Sequence, residues 1–224
     1  SMIHAGARNE VKVNGRWIHS EALSVDNAGE SLKGLDAVLV APGFGSRGFE
    51  GKIEAVRIAR EQGIPFLGIC FGMQAAVIEY SRNVLQLKGA NSSEVEPDCA
   101  QPVIGLMSEQ KQVTNMGGTM RLGACDCVLS EGSRAKEIYG KDSISERHRH
   151  RYEFNNAYLE DLASAGMQAS GINPQTGLVE IIEVSDHPWF LAVQFHPEYQ
   201  STVVNPHPLF VAFVRAAKTY NTTK

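Results

Sequence analysis

Cysteine is scarce in this chain: four residues in 224, Cys70, Cys99, Cys125 and Cys127, are too few for a disulfide framework and suit a reducing cytoplasm. No apolar run approaches the roughly 18 to 20 residues that a bilayer span needs, and no signal peptide is expected at the start. Basic residues are not in excess either, since 21 Lys and Arg against 25 Asp and Glu leave a net charge of −4. Nucleic-acid binding through bulk charge is therefore excluded. Repeats, low-complexity tracts and a linker long enough to separate domains are all missing. Cys125-x-Cys127 has the wrong spacing for a zinc knuckle, and alternate strand residues share a face, so the pair reads as packed thiols with no metal.

The composition, 43% hydrophobic, supports one substantial core, and residues 1–224 read as one α/β domain. Residues 35–40 form an apolar strand, closed by Pro42-Gly43-Phe44-Gly45, and a two-faced helix follows over 49–62. A second strand ends at Ile69 and a second helix runs over 71–82. This β–α–β–α order predicts parallel strands covered by helices. From 103 to 128 the pattern changes to strands broken by glycine, 144–154 is extended, and 158–165 is a short helix. Residues 178–184 and 189–195 form a hairpin about Asp186-His187-Pro188, and a closing helix occupies 208–220. Residues 10–18 could be a strand, but no β–α unit stands before them, so either the fold begins late or its opening unit is missing from this chain.

The most informative segment is Gly68-Ile69-Cys70-Phe71-Gly72-Met73-Gln74. An apolar strand meets a helix at a Gly-x-Cys-x-Gly turn, the layout of a nucleophile elbow, and the first free N–H groups of the helix favour a thiolate. A second apolar strand delivers His196 at its carboxyl end, where Pro197 forces the chain out of the sheet. Sites in open α/β sheets lie at those strand ends. Glu198 is near enough to fix the tautomer of His196, so Cys70, His196 and Glu198 form a nucleophile–base–orienter set.

These residues resemble those of class I glutamine amidotransferases. The glycine loop at Gly43, the elbow and Phe195-His196-Pro197-Glu198 carry the likeness. Ala90-Asn91-Ser92-Ser93-Glu94, Gly117-Gly118-Thr119-Met120-Arg121-Leu122-Gly123 and Glu146-Arg147-His148-Arg149-His150-Arg151-Tyr152-Glu153 narrow it to the glutaminase domains of CTP synthases. One departure is Ala41-Pro42-Gly43, where the family usually has Pro-Gly-Gly, so one backbone donor is lost.

The resemblance implies a flavodoxin-like, open and mostly parallel sheet with helices on both faces and an additional antiparallel section. It implies hydrolysis of L-glutamine, with the ammonia passed to a synthase domain that is not in this chain. There ATP, Mg and UTP would be used to make CTP, with GTP as activator at the domain junction and a homotetramer as the assembled form. The catalytic residues would be Cys70, His196 and Glu198, and the oxyanion donors the N–H groups of Gly43 and Phe71. Gly43, Phe71, Gly72, Met73, Gln74, Glu94 and Arg151 would bind substrate, Glu94 taking the α-ammonium and Arg151 the α-carboxylate. His148 and His150 would belong to the coupling surface, and Thr119, Met120 and Arg121 to a lid that responds to GTP. Two alternatives stay open: another Cys-His-Glu hydrolase, such as a γ-glutamyl hydrolase, and a regulatory module with an impaired site.

Overall fold

The computed structural model describes residues 1–106 and 120–224. The parallel portion of the fold grows from three short apolar strands, β1 (Val38–Val40), β2 (Phe66–Ile69) and β10 (Phe190–Val193), with β2 in the middle. Their residues alternate between two cores. Phe66, Phe190 and Ala192 join the core under α3 (Phe49–Glu61) and α4 (Phe71–Asn83). Leu67, Ile69, Leu191 and Val193 join the core with α1 (Met2–Arg8), α5 (Arg134–Tyr139) and α7 (Pro208–Thr223). Helices therefore cover both faces, because these strands are apolar on both sides. The stacked Phe66 and Phe190 rings, 4.4 Å apart, anchor the first core, each such burial stabilising by about 1.5–3 kcal/mol.

Antiparallel strands extend this centre. β9 (Val179–Val184) pairs with β10 as the expected hairpin, followed outward by β8 (Met167–Ile172), β5 (Arg121–Leu129) and β6 (Ser143–His150). The order is β1-β2-β10-β9-β8-β5-β6. A smaller sheet joins β3 (Ala90–Ser92), β4 (Gln101–Gly105) and β7 (Glu153–Phe154). Two further short helices are α2 (Ala28–Leu32) and α6 (Leu159–Ser164).

The strand expected over residues 10–18 does not form. The chain opens instead with α1, which packs on α7, and residues 11–19 run irregularly with Trp17 exposed. The alternation of Val11 and Val13 lacks a neighbouring ladder, and a lone strand has no partner for its backbone groups. Gly117, Gly118 and Thr119 lie outside the described residues.

Candidate active site

The chain leaves β2 at Ile69, and Cys70 takes φ +52° before α4 begins. A side chain in that conformation carries strain of about 1–3 kcal/mol. Three hydrogen bonds hold it there. Cys70 N–H donates to the Val193 carbonyl at 2.7 Å, and the Met73 and Gln74 N–H groups donate to the Cys70 carbonyl at 3.0 and 3.2 Å. Gly72 lets the helix approach β1, since a Cβ there would stand 2.2 Å from the Val40 carbonyl oxygen. The Met73 side chain is in the core, so only its backbone faces the turn.

The elbow does not leave Cys70 ionised at rest. Burial pushes its thiol up to about 12, and the Glu198, Glu94 and Glu153 charges act the same way. The Phe71 N–H bonds to the sulfur and pulls downward, as the helix start predicts, but burial outweighs it. The expected thiolate is thus corrected to a neutral thiol.

His196 follows β10 as Cys70 follows the adjacent, parallel β2. His196 N–H donates to the Arg147 carbonyl at 2.8 Å, and its Nδ1 is 2.7 Å from Glu198 Oε1. The carboxylate can only accept, so Nδ1 carries the proton and Nε2 is left as the basic nitrogen. Nε2 is buried and has no hydrogen-bond partner among the described residues. Glu198 sits on a 3-10 turn, Pro197–Gln200, that Gln200 ties to β6 through the Ser145 carbonyl and Glu146.

The other expected residues gather round the elbow. A Cβ on Gly43 would be 3.2 Å from the Phe71 ring, so the glycine loop lies against the start of α4. Glu94 Oε1 accepts the Gly45 N–H at 2.9 Å, fastening that loop to the segment after β3. Gln74 is buried, and its Nε2 donates to the Tyr152 carbonyl at 3.1 Å, next to Arg151 at the bend between β6 and β7.

Two neighbours of Cys70 escape sequence reasoning. Gln194 Nε2 lies 3.7 Å from Cys70 Sγ, and Gln194 is fully buried. Lys52, on α3, donates to the Ala41 carbonyl at 2.8 Å and stands 5.8 Å from the Phe71 ring centre. Burial lowers its pKa and Cys70 opposes that shift. Gln194 has a legible signal, its place two residues before His196. Lys52 has none beyond its position after the glycine loop.

Arg121, His148 and His150 are placed differently from expectation. Arg121 lies in β5, not in a lid, and its guanidinium spans Glu180 at 2.7 Å and Glu153 at 3.4 Å. Two buried carboxylates need a cation, which explains why Arg121 turns inward. His148 and His150 are buried too, His148 Nδ1 and His150 Nε2 being 2.7 Å apart, so neither presents a coupling surface. Arg147 and Arg149, which alternate with them, are exposed, as are Ser143 and Ser145 earlier in β6. Among the described residues no cluster of His, Cys, Asp and Glu could hold a metal, and no helix is long and apolar enough to cross a membrane.

This arrangement offers a thiol, a base with a fixed tautomer and backbone donors at one end of a sheet, the equipment for acyl transfer. The family model for glutamine amidotransferase class-I matches residues 1–216. CTP synthases of Christiangramia forsetii and Flavobacterium psychrophilum are each 65% identical over 217 residues, covering 97% of this chain. The chain spans 40% of the length of those curated relatives. The solved Trypanosoma brucei CTPS glutaminase domain, with bound acivicin, superposes with a TM-score of 0.92 at 39% identity, covering 97% of this chain and 85% of that one. Elbow, sheet order and sequence likeness thus agree, and the chain belongs to the class I glutamine amidotransferases, as a glutaminase domain of the CTP synthase type.

Proposed function

We propose that residues 1–224 form one glutaminase domain, which hydrolyses L-glutamine to glutamate and ammonia with Cys70, His196 and Glu198 as its triad. The observation that carries this reading is the His196–Glu198 contact of 2.7 Å, which leaves Nε2 as a base beside the strand end that carries Cys70. Cys70 Sγ attacks the side-chain amide carbon while its proton passes to His196 Nε2. The oxyanion is stabilised by the N–H groups of Gly43 and Phe71, and a donor of this kind is typically worth about 10²–10³ in rate. The intermediate collapses, the C–N bond breaks, and ammonia leaves with the proton from His196. A water then gives its proton to His196 and attacks the thioester. Glutamate departs and the thiol is restored. A thiol held near 12 suits this course, because the proton moves with the attack.

Glu94 and Arg151 would pair with the α-ammonium and α-carboxylate, with Gly72, Met73 and Gln74 shaping the pocket. A planar guanidinium suits a carboxylate better than an ammonium would. The ammonia would serve a synthase domain of the same polypeptide, where ATP and Mg activate UTP for amination to CTP. The relatives named CTP synthase, of which this chain spans two fifths, support that partner. GTP activation at the domain junction, a homotetramer and a cytoplasmic setting follow from the same family reading.

The test is ammonia release from glutamine by the wild type and Cys70→Ala, with labelling of Cys70 by acivicin as a second measure. Release that needs Cys70 supports the proposal, and equal rates in both proteins refute it. Faster hydrolysis of γ-glutamyl peptides than of free glutamine would favour the γ-glutamyl hydrolase alternative.

A further inference from the structure

Gln194 is wholly buried between the end of β10 and His196, a place where a polar side chain must be accounted for. Its backbone is fixed by the N–H bond to the Glu180 carbonyl, 2.9 Å. Its side chain spans two groups: Nε2 lies 3.7 Å from Cys70 Sγ, and Oε1 is 3.4 Å from Gln74 Nε2. The ends of an amide are assigned from their partners, and here the partners leave one solution. Gln74 Nε2 is also 3.1 Å from the Tyr152 carbonyl, which can only accept. Gln74 must therefore turn its NH₂ toward Tyr152, and the second hydrogen of that NH₂ meets Gln194. Gln194 must answer with its oxygen, because a reversed amide would set two NH₂ groups against each other. The sulfur is consequently given a donor, and a backbone carbonyl two residues removed from it sets that polarity.

We propose that Gln194 is a positioning residue for the nucleophile: the chain Tyr152 carbonyl–Gln74–Gln194 aims a fixed amide N–H at Cys70 Sγ, favouring the thiolate formed during attack. A donor to a charged acceptor is stronger than one to a neutral acceptor, so the bond tightens as the proton leaves the thiol. Gln194 and the Phe71 N–H approach the sulfur as two donors from different segments, the residues just after β10 and the start of α4. Other charges also act on this thiol: Glu198 on the 3-10 turn, Glu94 after β3, Glu153 on β7 and Lys52 on α3. His196 is a further titratable group at these strand ends. All five are unchanged by substitution at Gln194.

The proposal rests on Cys70 as the nucleophile, but its test does not use glutamine. Wild type, Gln194→Met and Gln194→Asn are treated with iodoacetamide across a pH series, and Cys70 alkylation is followed by peptide mass spectrometry. Methionine keeps the bulk and removes the donor, whereas asparagine keeps the amide but falls one methylene short. The expected result is labelling about tenfold slower in Gln194→Met at every pH at which the protein stays folded, one unit of thiol pKa being a tenfold change in thiolate. Gln194→Asn should move the same way and decides the matter if the methionine variant does not melt cooperatively. A folded variant whose profile overlies that of the wild type overturns the proposal. Failure of the glutaminase reading looks different, since the wild type would then release no ammonia while its alkylation profile still depended on Gln194.

Discussion

His196 Nδ1 and Glu198 Oε1 stand 2.7 Å apart, with His196 buried and Glu198 about one third exposed. Part of the Glu198 side chain thus reaches water, although its Oε2 is buried without a hydrogen-bond partner among the described residues, while the ring it orients is covered. Glu198→Gln keeps the shape but can present either end to Nδ1, so the tautomer is no longer fixed. Glutamine hydrolysis should fall by about 10²–10⁴, as for an orienting carboxylate in other triads. Steady-state ammonia release checks this, with a thermal melt to show that the fold is retained.

Cys70 holds a positive φ of 52° that a glycine would accept freely. Cys70→Gly should therefore be more stable than Cys70→Ala, by about 1 kcal/mol, although both should be inactive. Urea unfolding of the two variants makes the comparison. Equal stabilities would mean that the elbow is relaxed.

Gly72→Ala places a methyl group where the Val40 carbonyl oxygen is 2.2 Å away. α4 must then lift off β1 and carry Phe71 and Cys70 with it. A loss of about 1–3 kcal/mol or more is expected, together with slower acivicin labelling. Melting temperature and labelling rate report the two effects separately.

Arg121 is the cation between Glu153 and Glu180, both of them buried. Arg121→Met leaves two carboxylates facing one another without compensation, which should cost about 3–5 kcal/mol. Arg121→Lys keeps the charge but not the fork and should recover some of the loss. Chemical denaturation distinguishes the three proteins.

His148 is held down to about 2, chiefly by burial and then by the charges of His150, Arg121 and His196. Its ordinary value is 6.5. Between these values the unfolded chain binds a proton that the folded chain refuses, so stability rises with pH through this window and is lost as pH falls below 6.5. His187 is lowered as well, again mainly by burial. One such group contributes a slope of up to about 1.4 kcal/mol per pH unit. His148→Gln should flatten the acid limb of stability against pH, measured by urea unfolding from pH 7 to pH 4. An unchanged limb would remove His148 from the account.

What could be read in the sequence was local. The elbow at Cys70 is written within seven consecutive residues, and His196, Pro197 and Glu198 are neighbours. Helices α3, α4 and α7 declare themselves by periodicity, and β9 and β10 by the turn between them. Strand β8 was hidden because Gln168, Ser170 and a register shift near Gly171 interrupt its apolar pattern. Buried charge was hidden for a different reason. Arg121, Glu153 and Glu180 lie far apart in the chain and each reads as a surface residue until the fold pairs them. Gln194 and Lys52 likewise become neighbours of Cys70 only when β10 and α3 are placed beside the elbow.

Strand β6 is an edge strand of the large sheet, yet its Arg147 carbonyl accepts the backbone N–H of His196 at 2.8 Å. The His196 backbone is therefore tied both to the buried end of β10 and to the rim of the sheet. A mechanical load on the exposed arginine edge has a single hydrogen bond to cross before it reaches the imidazole. In this sense the periphery of the sheet and His196 are joined through the Arg147 carbonyl.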